Sequence, residues 1–355
     1  MPATEATVAS LRAVAGLSVS RSVPLAAYTR FGLGGPADIL VETSSVEAFL
    51  RAIEVMRQSG VPVVVLGGGT NVIVSDEGFR GAVVRYTADR ILAAGNRVVA
   101  DAGAELQALV DFTIARGLKG LETLTRIPGS VGAAVYGNAG AYGHSISECI
   151  LKVRFFDGRD IRVFDQEQCQ FEYRGSIFKR HKGWTILSAE LMLQPGDPDQ
   201  LRRTAEEIAR IRDAKFPPTM KCAGSIFKNL YLAQLPPEVA AQVPAEVVRE
   251  GKVPAAWFLE QVGAKGMRQG DIHVAEYHAN LVYNGGAGTA RDLCALIAEL
   301  KRRVRERFGI ELEEEVQYVG FDSSGDARDD SRGGAGAARG AAQTGQPAGS
   351  ASAKH

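Results

Sequence analysis

The chain has 355 residues, which is long enough for two or three domains and for a core that can enclose a ligand. Its 41 Lys and Arg residues balance 41 Asp and Glu residues, and this zero net charge argues against nucleic acid or an anionic membrane as the main partner. Hydrophobic residues make up 45% of the chain, yet no apolar stretch approaches the roughly 18 residues of a membrane span.

Helical and strand periodicities alternate along the chain, and this alternation predicts an α+β fold. The segment Ser44 to Glu47 has the spacing of a capping box, and the apolar positions after it predict a helix to about Gln58, with Gly60 as its stop. The apolar run at 61–66 predicts a buried strand, and the run at 72–74 predicts another.

A hairpin is predicted at Asp157-Gly158, because glycine supplies the positive φ of a two-residue turn. Periodic apolar positions also predict helices at about 106–116, 199–212, 254–262 and 290–308. The prolines in Lys215 to Pro218 end the second of these helices, and we expect a hinge there. Residues 323–355 contain no large apolar side chain, so a disordered tail of no predicted function is expected over 322–355.

The cysteines and histidines show no pattern of a metal or redox site. The cysteines are widely separated and form no C-x-x-C pair, which predicts reduced structural thiols at Cys149, Cys169, Cys222 and Cys294. The five histidines form no H-E-x-x-H motif or cluster, so no metal is expected. The first ten residues lack the basic start and apolar core of a secretory signal, and we therefore expect a cytoplasmic protein.

The first candidate ligand site is the loop Gly67-Gly68-Gly69-Thr70-Asn71, directly after the predicted strand at 61–66. Its glycines permit positive φ and close backbone approach, so successive N–H groups can point at a phosphate. It is not a Walker loop, because no Gly-Lys-Ser/Thr follows, and not a Rossmann turn, because a strand follows instead of a helix. A plain glycine turn is the alternative for this loop taken alone.

A second glycine-rich segment, residues 127–143, carries Ser130, Asn138 and two tyrosines among small residues. Small residues with uncharged hydrogen-bonding partners suit a dinucleotide with a flat ring, although a tight helix crossing would need the same residues. Residues 32–37 formally match G-x-G-x-x-A, but Pro36 and the lack of a preceding apolar strand argue against a nicotinamide site there. Two glycine-rich segments together favour a bound nucleotide cofactor.

These two segments and residues 28–38 ahead of them closely resemble the flavin domain of the UDP-N-acetylenolpyruvoylglucosamine reductases. The similarity continues through Tyr-Arg-Gly-Ser-Ile-Phe at 173–178, Gly-Ser-Ile-Phe-Lys-Asn at 224–229 and Leu-Glu-Glu-Glu-Val at 312–316. It covers about residues 20–320, and five motifs in this order are far more specific than any one of them.

The resemblance implies a bacterial cytoplasmic enzyme of peptidoglycan precursor synthesis, a UDP-N-acetylmuramate dehydrogenase. Such an enzyme uses bound FAD and NADPH to reduce an enolpyruvyl ether to a lactyl ether. The implied fold is a vanillyl-alcohol-oxidase-type FAD-binding region of two subdomains, which we place at 20–87 and 88–209, followed by an α+β substrate-binding domain at 210–321. The implied partners are small molecules, NADPH and the enolpyruvyl UDP-sugar, and no obligate protein partner is expected.

The resemblance carries three catalytic positions to this chain, namely Arg174, Ser225 and Glu315. A serine hydroxyl held over the substrate carbon can donate a proton after hydride addition, provided that solvent is excluded. The guanidinium of Arg174 can bind the carboxylate into which negative charge is delocalised. The family register alone selects Glu315 over Glu313, because alternation along a strand puts both on one face. Without the resemblance, an ordinary turn serine and a surface arginine are the alternatives.

Contacts to substrate and cofactor follow from the same resemblance. A diphosphate needs at least one nearby cation, and substrate contacts are expected at Tyr173, Lys215, Asn229 and His278, with Lys228 as a weaker candidate. Cofactor contacts are expected at Gly67, Gly68, Gly69, Thr70, Asn71, Pro128, Gly129, Ser130, Gly132, Ala133, Asn138, Gly140 and Ala141.

One feature of the sequence indicates a subclass of the family, and another departs from the family pattern. Arg174 and Ser225 are about 50 positions apart, as in a shorter subclass that lacks a tyrosine-bearing loop, and Leu230 stands where the family commonly has proline. The alternatives are a sugar or lactone oxidase that shares the flavin domain and a flavin or UDP-sugar binding protein without turnover. Such oxidases often tether FAD through histidine, and none lies at or beside 67–71. The presence of Arg174, Ser225 and Glu315 argues against an inactive protein.

Overall fold

The structure is a computed structural model, and it describes residues 5–321. Met1–Gly320 forms one compact unit, of which residues 5–320 are described. The tail predicted at 322–355 lies outside the described residues. Within the described part, no helix combines the length and the apolar character needed to cross a membrane.

Helices occur where apolar residues recur at helical spacing. In chain order they are α1 Glu5–Arg12, α2 Val46–Gln58, α3 Leu106–Ala115, α4 Val131–Tyr136, α5 Ile177–Arg180, α6 Pro198–Lys215, α7 Pro237–Ala240, α8 Ala255–Gln261 and α9 Ala290–Phe308. The four helices predicted from position 106 onward are confirmed as α3, α6, α8 and α9, with ends that differ by at most three residues. A capping box fixes the start of α9, where Thr289 Oγ1 accepts from the Asp292 N–H at 3.0 Å.

The start of α2 differs by one residue from the predicted capping box. Ser45, not Ser44, is the N-cap, and its Oγ accepts from the Ala48 N–H at 3.2 Å. The same hydroxyl donates to the Glu47 carboxylate at 2.9 Å. The cap moves because the preceding strand runs to Thr43, whose Oγ1 accepts from the Ser45 N–H at 3.1 Å and leaves Ser44 in the turn.

The strands are mostly short. In chain order they are β1 Ser18–Pro24, β2 Pro36–Thr43, β3 Val63–Val65, β4 Val72–Val74, β5 Phe79–Tyr86, β6 Ile91–Ala94, β7 Arg97–Asp101, β8 Leu118–Lys119, β9 Gly140–Ala141, β10 His144–Ser145, β11 Ile150–Phe156, β12 Ile161–Asp165, β13 Thr185–Met192, β14 Gln194–Pro195, β15 Lys221–Ser225, β16 Leu230–Tyr231, β17 Lys252–Val253, β18 Arg268–Gln269, β19 Ile272–Ala275, β20 His278–Asn284 and β21 Gln317–Val319.

Three larger sheets organise these strands. The first has the order β1-β2-β5-β3, with β5 parallel to both of its neighbours. The second is antiparallel, with the order β12-β11-β13-β7-β6, and the third is antiparallel, with the order β15-β20-β19-β18. A separate parallel pair joins β4 to β21, with Val74 opposite Val319. This pair brings the end of the described chain beside its first glycine loop.

The strand predicted at 61–66 is shorter and more exposed than expected. It is confirmed as a strand only at β3, where Val63 and Val65 are 37% and 39% exposed. The prediction of a buried strand is wrong because β3 lies at the edge of its sheet, and Pro62 has no N–H with which to lengthen the ladder. The strand predicted at 72–74 is confirmed as β4.

The predicted hairpin is confirmed as β11 and β12, but its turn is displaced by one residue. The Asp157 N–H donates to the Asp160 carbonyl at 3.0 Å, and Gly158, with a φ of 95°, lies between them. The Asp157 carboxylate also accepts from the Arg159 and Asp160 N–H groups at 2.8 and 2.7 Å. Asp157 therefore closes the turn instead of occupying its first central position.

The buried apolar residues form separate clusters. One extends from Val8 to Ala205 and joins α2 and α3 to the two sheets near the amino end, and another surrounds α8, α9 and the third sheet. The domain boundaries near 87 and 210 stay predictions, as does the hinge at 215–218.

The predicted structural thiols lie in these cores. Cys149, Cys169 and Cys222 are buried and form no disulfide bond, while Cys294 is half-buried. Burial raises the pKa of Cys149 to about 11 and the pKa of Cys169 to about 12, so both keep their protons at neutral pH.

Candidate active site

The two glycine-rich segments pack directly against each other. A Cβ added at Gly68 would lie 3.0 Å from the Cα of Gly129, and one at Gly67 would lie 3.0 Å from Ser130 Oγ. Thr70 Oγ1 donates to the Pro128 carbonyl at 3.3 Å. The loops approach so closely that only glycine fits at Gly68 without a shift of the backbone.

Together the loops form one wall of a cavity of about 720 Å³. This volume lies within the range of about 300–1,000 Å³ that is typical of ligand and cofactor sites. The cavity is lined by Leu66, Gly67, Gly68, Thr70, Arg85, Tyr86, Thr87, Asp89, Gly103, Ala104, Glu105, Gln107, Ala108, Ile127, Pro128, Gly129 and Ser130. Six of the residues predicted to bind a cofactor are among them. The sequence analysis did not predict the lining residues within 85–89 and 103–108, because they lie outside the two glycine-rich segments. The only signal there is the run of small residues Ala102-Gly103-Ala104.

The other predicted cofactor residues have different positions. Gly69, with a φ of 62°, packs against the Tyr28 carbonyl, and Gly132 packs against Ala102. The Ala133 N–H donates to Ser130 Oγ at 3.4 Å and thereby belongs to the start of α4. Gly69, Gly132 and Ala133 are not among the residues that line the cavity, and their contacts are with neighbouring parts of the protein.

Residues 138–141 meet the predicted catalytic arginine and not the cavity. Asn138 Nδ2 donates to the Glu172 carbonyl at 2.9 Å, and the Gly140 carbonyl accepts from Arg174 Nη1 at 3.0 Å. Ala141 pairs with His144 in the short hairpin that follows. The second glycine segment therefore joins the cavity wall to the turn that carries Arg174.

Arg174 and Glu315 form an ion pair across 141 positions of sequence. Arg174 Nε donates to the Glu315 carboxylate at 3.2 Å, and the two side chains are 28% and 17% exposed. Arg174 lies in a tight turn with a φ of 58°, where Glu172 and Gly175 exchange backbone hydrogen bonds of 3.1 Å. Lys179 Nζ donates to the Arg174 carbonyl at 3.0 Å. The turn therefore fixes the backbone of Arg174, while Glu315 and the Gly140 carbonyl hold its guanidinium.

The segment directly after Ser225 pairs through its backbone with the segment that carries Glu315. The Glu315 N–H donates to the Ile226 carbonyl at 2.8 Å, and the Lys228 N–H donates to the Glu313 carbonyl at 2.9 Å. Ser225 directly precedes Ile226 and is half-buried at the end of β15. Glu313 is exposed and pairs with Lys228, so Glu315 is the carboxylate that faces Arg174.

The first glycine loop is tied to the same segment. Asn71 Nδ2 donates to the Glu315 carbonyl at 3.0 Å, and the Gln317 N–H donates to the Asn71 carbonyl at 2.9 Å. The contact of Asn71 with a cofactor stays a prediction, and its side chain also holds the backbone of Glu315. The first glycine loop is therefore joined directly to the segment that carries Glu315.

The predicted substrate residues Tyr173 and Asn229 contact each other. Tyr173 Oη accepts from the Asn229 N–H at 3.3 Å, and Asn229 Oδ1 accepts from the Ala255 N–H at 3.2 Å. Burial raises the pKa of Tyr173, and the charge of Glu315 raises it further, so the phenol stays protonated. Both residues thus lie within the region of Arg174 and Glu315.

The other two predicted substrate residues, Lys215 and His278, lie close together. Burial, together with a smaller effect of the charge of Lys215, lowers the pKa of His278 to about 4. Burial also lowers the pKa of Lys215, with a second contribution from Arg212. The imidazole is therefore neutral at physiological pH, and its Nδ1 accepts from the Asn280 N–H at 3.1 Å.

Arg212 adds a positive charge that the sequence interpretation missed. It lies one helical turn before Lys215 in α6, and its buried Nε has no hydrogen-bonding partner in the described part of the chain. Burial lowers the pKa of Arg212, and the charges of Arg174 and Arg30 act in the same direction. The spacing Arg-x-x-Lys at 212–215 would have placed both cations on one face. This excess of positive charge suits an anionic ligand.

Comparisons with known proteins match this arrangement along the chain. A model of an FAD binding domain matches residues 37–163, and a model of the C-terminal domain of UDP-N-acetylenolpyruvoylglucosamine reductase matches residues 216–319. The UDP-N-acetylenolpyruvoylglucosamine reductase of Solibacter usitatus is 66% identical over 310 residues, which cover 87% of this chain and 99% of that protein. The chain belongs to this family. A second UDP-N-acetylenolpyruvoylglucosamine reductase, from Rubrobacter xylanophilus, is 42% identical over 84% of this chain and 94% of its own length.

Solved structures give the same family. The crystal structure of the UDP-N-acetylenolpyruvylglucosamine reductase from Thermus caldophilus is similar with a TM-score of 0.66 and 30% identity, over 85% of this chain and 99% of that one. The family resemblance, the α+β class and the vanillyl-alcohol-oxidase-type FAD-binding region are thereby confirmed. The roles of individual residues and the assignment to the shorter subclass of the family stay predictions.

Proposed function

We propose that the chain is an NADPH-dependent UDP-N-acetylmuramate dehydrogenase that carries FAD and reduces UDP-N-acetylglucosamine enolpyruvate to UDP-N-acetylmuramate. Family membership supports the overall reaction. The observation that carries the assignment of residues is the ion pair between Arg174 and Glu315, beside Ser225 and joined to the glycine loop through Asn71.

The residues of the cavity fit a dinucleotide cofactor. The backbones of Gly67, Gly68 and Gly129 have no side chains that would block a phosphate, and Ser130 offers a hydroxyl at the same wall. The chemistry that FAD supplies when bound is hydride transfer from NADPH to the vinyl carbon of the substrate. The protein then has to supply a proton to the neighbouring carbon and stabilise its negative charge.

Ser225 is the proposed proton donor. Its Oγ gives a proton to the carbon that bears the ether oxygen and the carboxylate, and this completes the lactyl ether. A serine is a weak acid, so the transfer depends on a fixed position and on exclusion of water. Its half-buried position at the end of β15, held by pairing of the next residue with Glu315, supports this role.

Arg174 and Glu315 are proposed to act as a pair. The guanidinium binds the substrate carboxylate and stabilises the charge delocalised into it before protonation. Glu315 accepts a hydrogen bond from Nε of the guanidinium, and the Gly140 carbonyl accepts one from Nη1. The remaining N–H groups are therefore free to bind the substrate carboxylate. Lys215, with Arg212 nearby, supplies positive charge for the diphosphate.

The C-terminal match disfavours the alternatives. A sugar or lactone oxidase would share the flavin region, but residues 216–319 match the reductase C-terminal domain. A protein without turnover would not need Arg174, Ser225 and Glu315 to be brought together. We further propose that the enzyme acts in the cytoplasm, on small molecules alone, with no obligate protein partner.

The proposal is tested with Ser225→Ala under anaerobic conditions in a stopped-flow instrument. NADPH should bleach the flavin at the wild-type rate, whereas reoxidation by the enolpyruvyl UDP-sugar should slow by at least about 10²-fold, as is typical for loss of a positioned acid. Ser44→Ala, an exposed serine beside α2, is the control and should leave both rates unchanged. Rapid reoxidation of Ser225→Ala would remove Ser225 from the mechanism, and absence of bleaching in the wild-type protein would refute the reductase assignment.

A further inference from the structure

We propose that Asn280 is a positioning residue that aligns Ser225 with Glu315, an inference that rests on the proposed function. Asn280 is in β20, is 3% exposed and is not among the residues that line the cavity. None of the motifs in the sequence includes it. The proposed role follows from the hydrogen bonds that its side-chain amide makes with Phe227.

The side chain of Asn280 pairs with both backbone groups of Phe227. Its Oδ1 accepts from the Phe227 N–H at 2.9 Å, and its Nδ2 donates to the Phe227 carbonyl at 2.9 Å. The Asn280 carbonyl also accepts from the Ile226 N–H at 3.1 Å. Asn280 therefore satisfies three of the four backbone groups of the two residues after Ser225, and both residues are fully buried, so water cannot replace these bonds.

This pairing is needed because the ladder is irregular just before it. Cys222 pairs with Tyr283, but Ser225 pairs with Leu281, so β15 has one residue more than β20 over this interval. A bulge of this kind re-aims the side chains that follow, and a slip of one residue would turn Ser225 to the opposite face. The amide of Asn280 holds the strand in the register that follows the bulge.

The same two residues connect Ser225 to the acid. The Ile226 carbonyl accepts from the Glu315 N–H at 2.8 Å, and Phe227 forms a bridge with Glu314. Residues 226–227 are thus held between Asn280 on one side and the segment 313–315 on the other. A displacement of Phe227 would shift Ser225 relative to Glu315, while Arg174 would keep its own turn.

Asn284 offers a matched control in the same strand. It is 4% exposed, its Nδ2 donates to the Phe31 carbonyl at 2.9 Å, and its Oδ1 accepts from the Gly286 and Gly288 N–H groups. Replacement of either asparagine by aspartate keeps the acceptor, removes one donor and places a carboxylate oxygen against a backbone carbonyl. The two variants therefore carry the same local cost in different places.

The experiment compares Asn280→Asp with Asn284→Asp in both half-reactions of the FAD-loaded protein. We expect Asn280→Asp to reduce its flavin with NADPH at the wild-type rate and to reoxidise with the enolpyruvyl UDP-sugar about 10²-fold more slowly, the loss typical of a misplacement of about 1 Å. Asn284→Asp should lower the melting temperature by a similar amount and leave both rates within about 3-fold of wild type.

Equal effects of the two variants on reoxidation, or a wild-type rate in Asn280→Asp, would overturn the inference. Ser225→Ala in the same assay distinguishes failure of the Asn280 inference from failure of the proposed function. Ser225→Ala reoxidises fast only if the proposed function is wrong. If Asn280→Asp does not fold, Asn280→Ser provides the test, since a hydroxyl can pair with one group of Phe227 but not with both. Its reoxidation should be about 10-fold slow, and an unchanged rate would again refute the positioning role.

Discussion

The contact between the two glycine loops predicts a strong effect of one added methyl group. In Gly68→Ala the new Cβ would lie 3.0 Å from Gly129 Cα and 3.4 Å from Ser130 N, whereas ordinary contacts begin at about 3.4 Å. The nearest atoms belong to backbone and cannot rotate away, so the loops must separate by at least about 0.4 Å. Overpacking of this kind costs about 1–3 kcal/mol.

Because Gly68 and Gly129 line the proposed FAD site, separation of the loops should also remove contacts to FAD, and a loss of about 1–3 kcal/mol of these contacts weakens binding by about 5- to 150-fold. FAD affinity is measured by quenching of flavin fluorescence on titration of the apoprotein, and the melting temperatures of apo and loaded protein are measured alongside. Gly183→Ala is the matched control, because no atom lies within 4 Å of its added Cβ and its φ is open to other residues. FAD binding in Gly68→Ala as tight as in Gly183→Ala, with the same melting temperature, would refute the claim that this contact shapes the cofactor site.

Two further predictions concern stability. The Asp76 carboxylate accepts hydrogen bonds from the N–H groups of Ala290 and Arg291 at 2.8 and 2.9 Å. Asp76→Ala should therefore lower the free energy of unfolding, measured in urea, by about 1–2 kcal/mol. Glu77→Ala is the control and should leave it unchanged. Burial holds the pKa of His278 at about 4, below its ordinary value of 6.5. Between pH 6.5 and pH 4 the unfolded chain therefore binds more protons than the folded chain, and the stability of the wild-type protein should fall as the pH drops through this range. His278→Gln should flatten that part of the stability profile, and an unchanged slope would contradict the burial of a neutral imidazole.

Local patterns predicted those elements whose ends are set by their own residues. The bounds of α9 follow from its apolar spacing, its capping box at Thr289 and Gly309 in the left-handed conformation after its end. The exposure of β3 could not be predicted in this way, because it depends on which strand lies beside it in the folded sheet. The displaced hairpin turn has a local cause instead, since the Asp157 side chain accepts hydrogen bonds from the backbone N–H groups of Arg159 and Asp160.

The candidate site was predictable where a motif marks it and not elsewhere. The resemblance supplied Arg174 and Glu315, which the structure pairs, although no spacing rule connects positions so far apart. The resemblance also assigned Asn71 and Asn138 to the cofactor, and this stays a prediction; the hydrogen bonds of their amides to the carbonyls of Glu315 and Glu172 could not be predicted, because both partners are distant in sequence. Asn280 carries no local signal, because its importance comes from contacts with residues more than 50 positions away.

The pairing of β4 with β21 has a consequence for the order in which the chain can assemble. Val74 cannot pair with Val319 until nearly all of the described polypeptide has left the ribosome. The strand after the first glycine loop therefore pairs later than the strands of any local hairpin. A nascent chain or a fragment that stops before position 317 has this strand without its companion. The pairing of β4 with β21 is therefore among the last contacts of the described chain to form during synthesis.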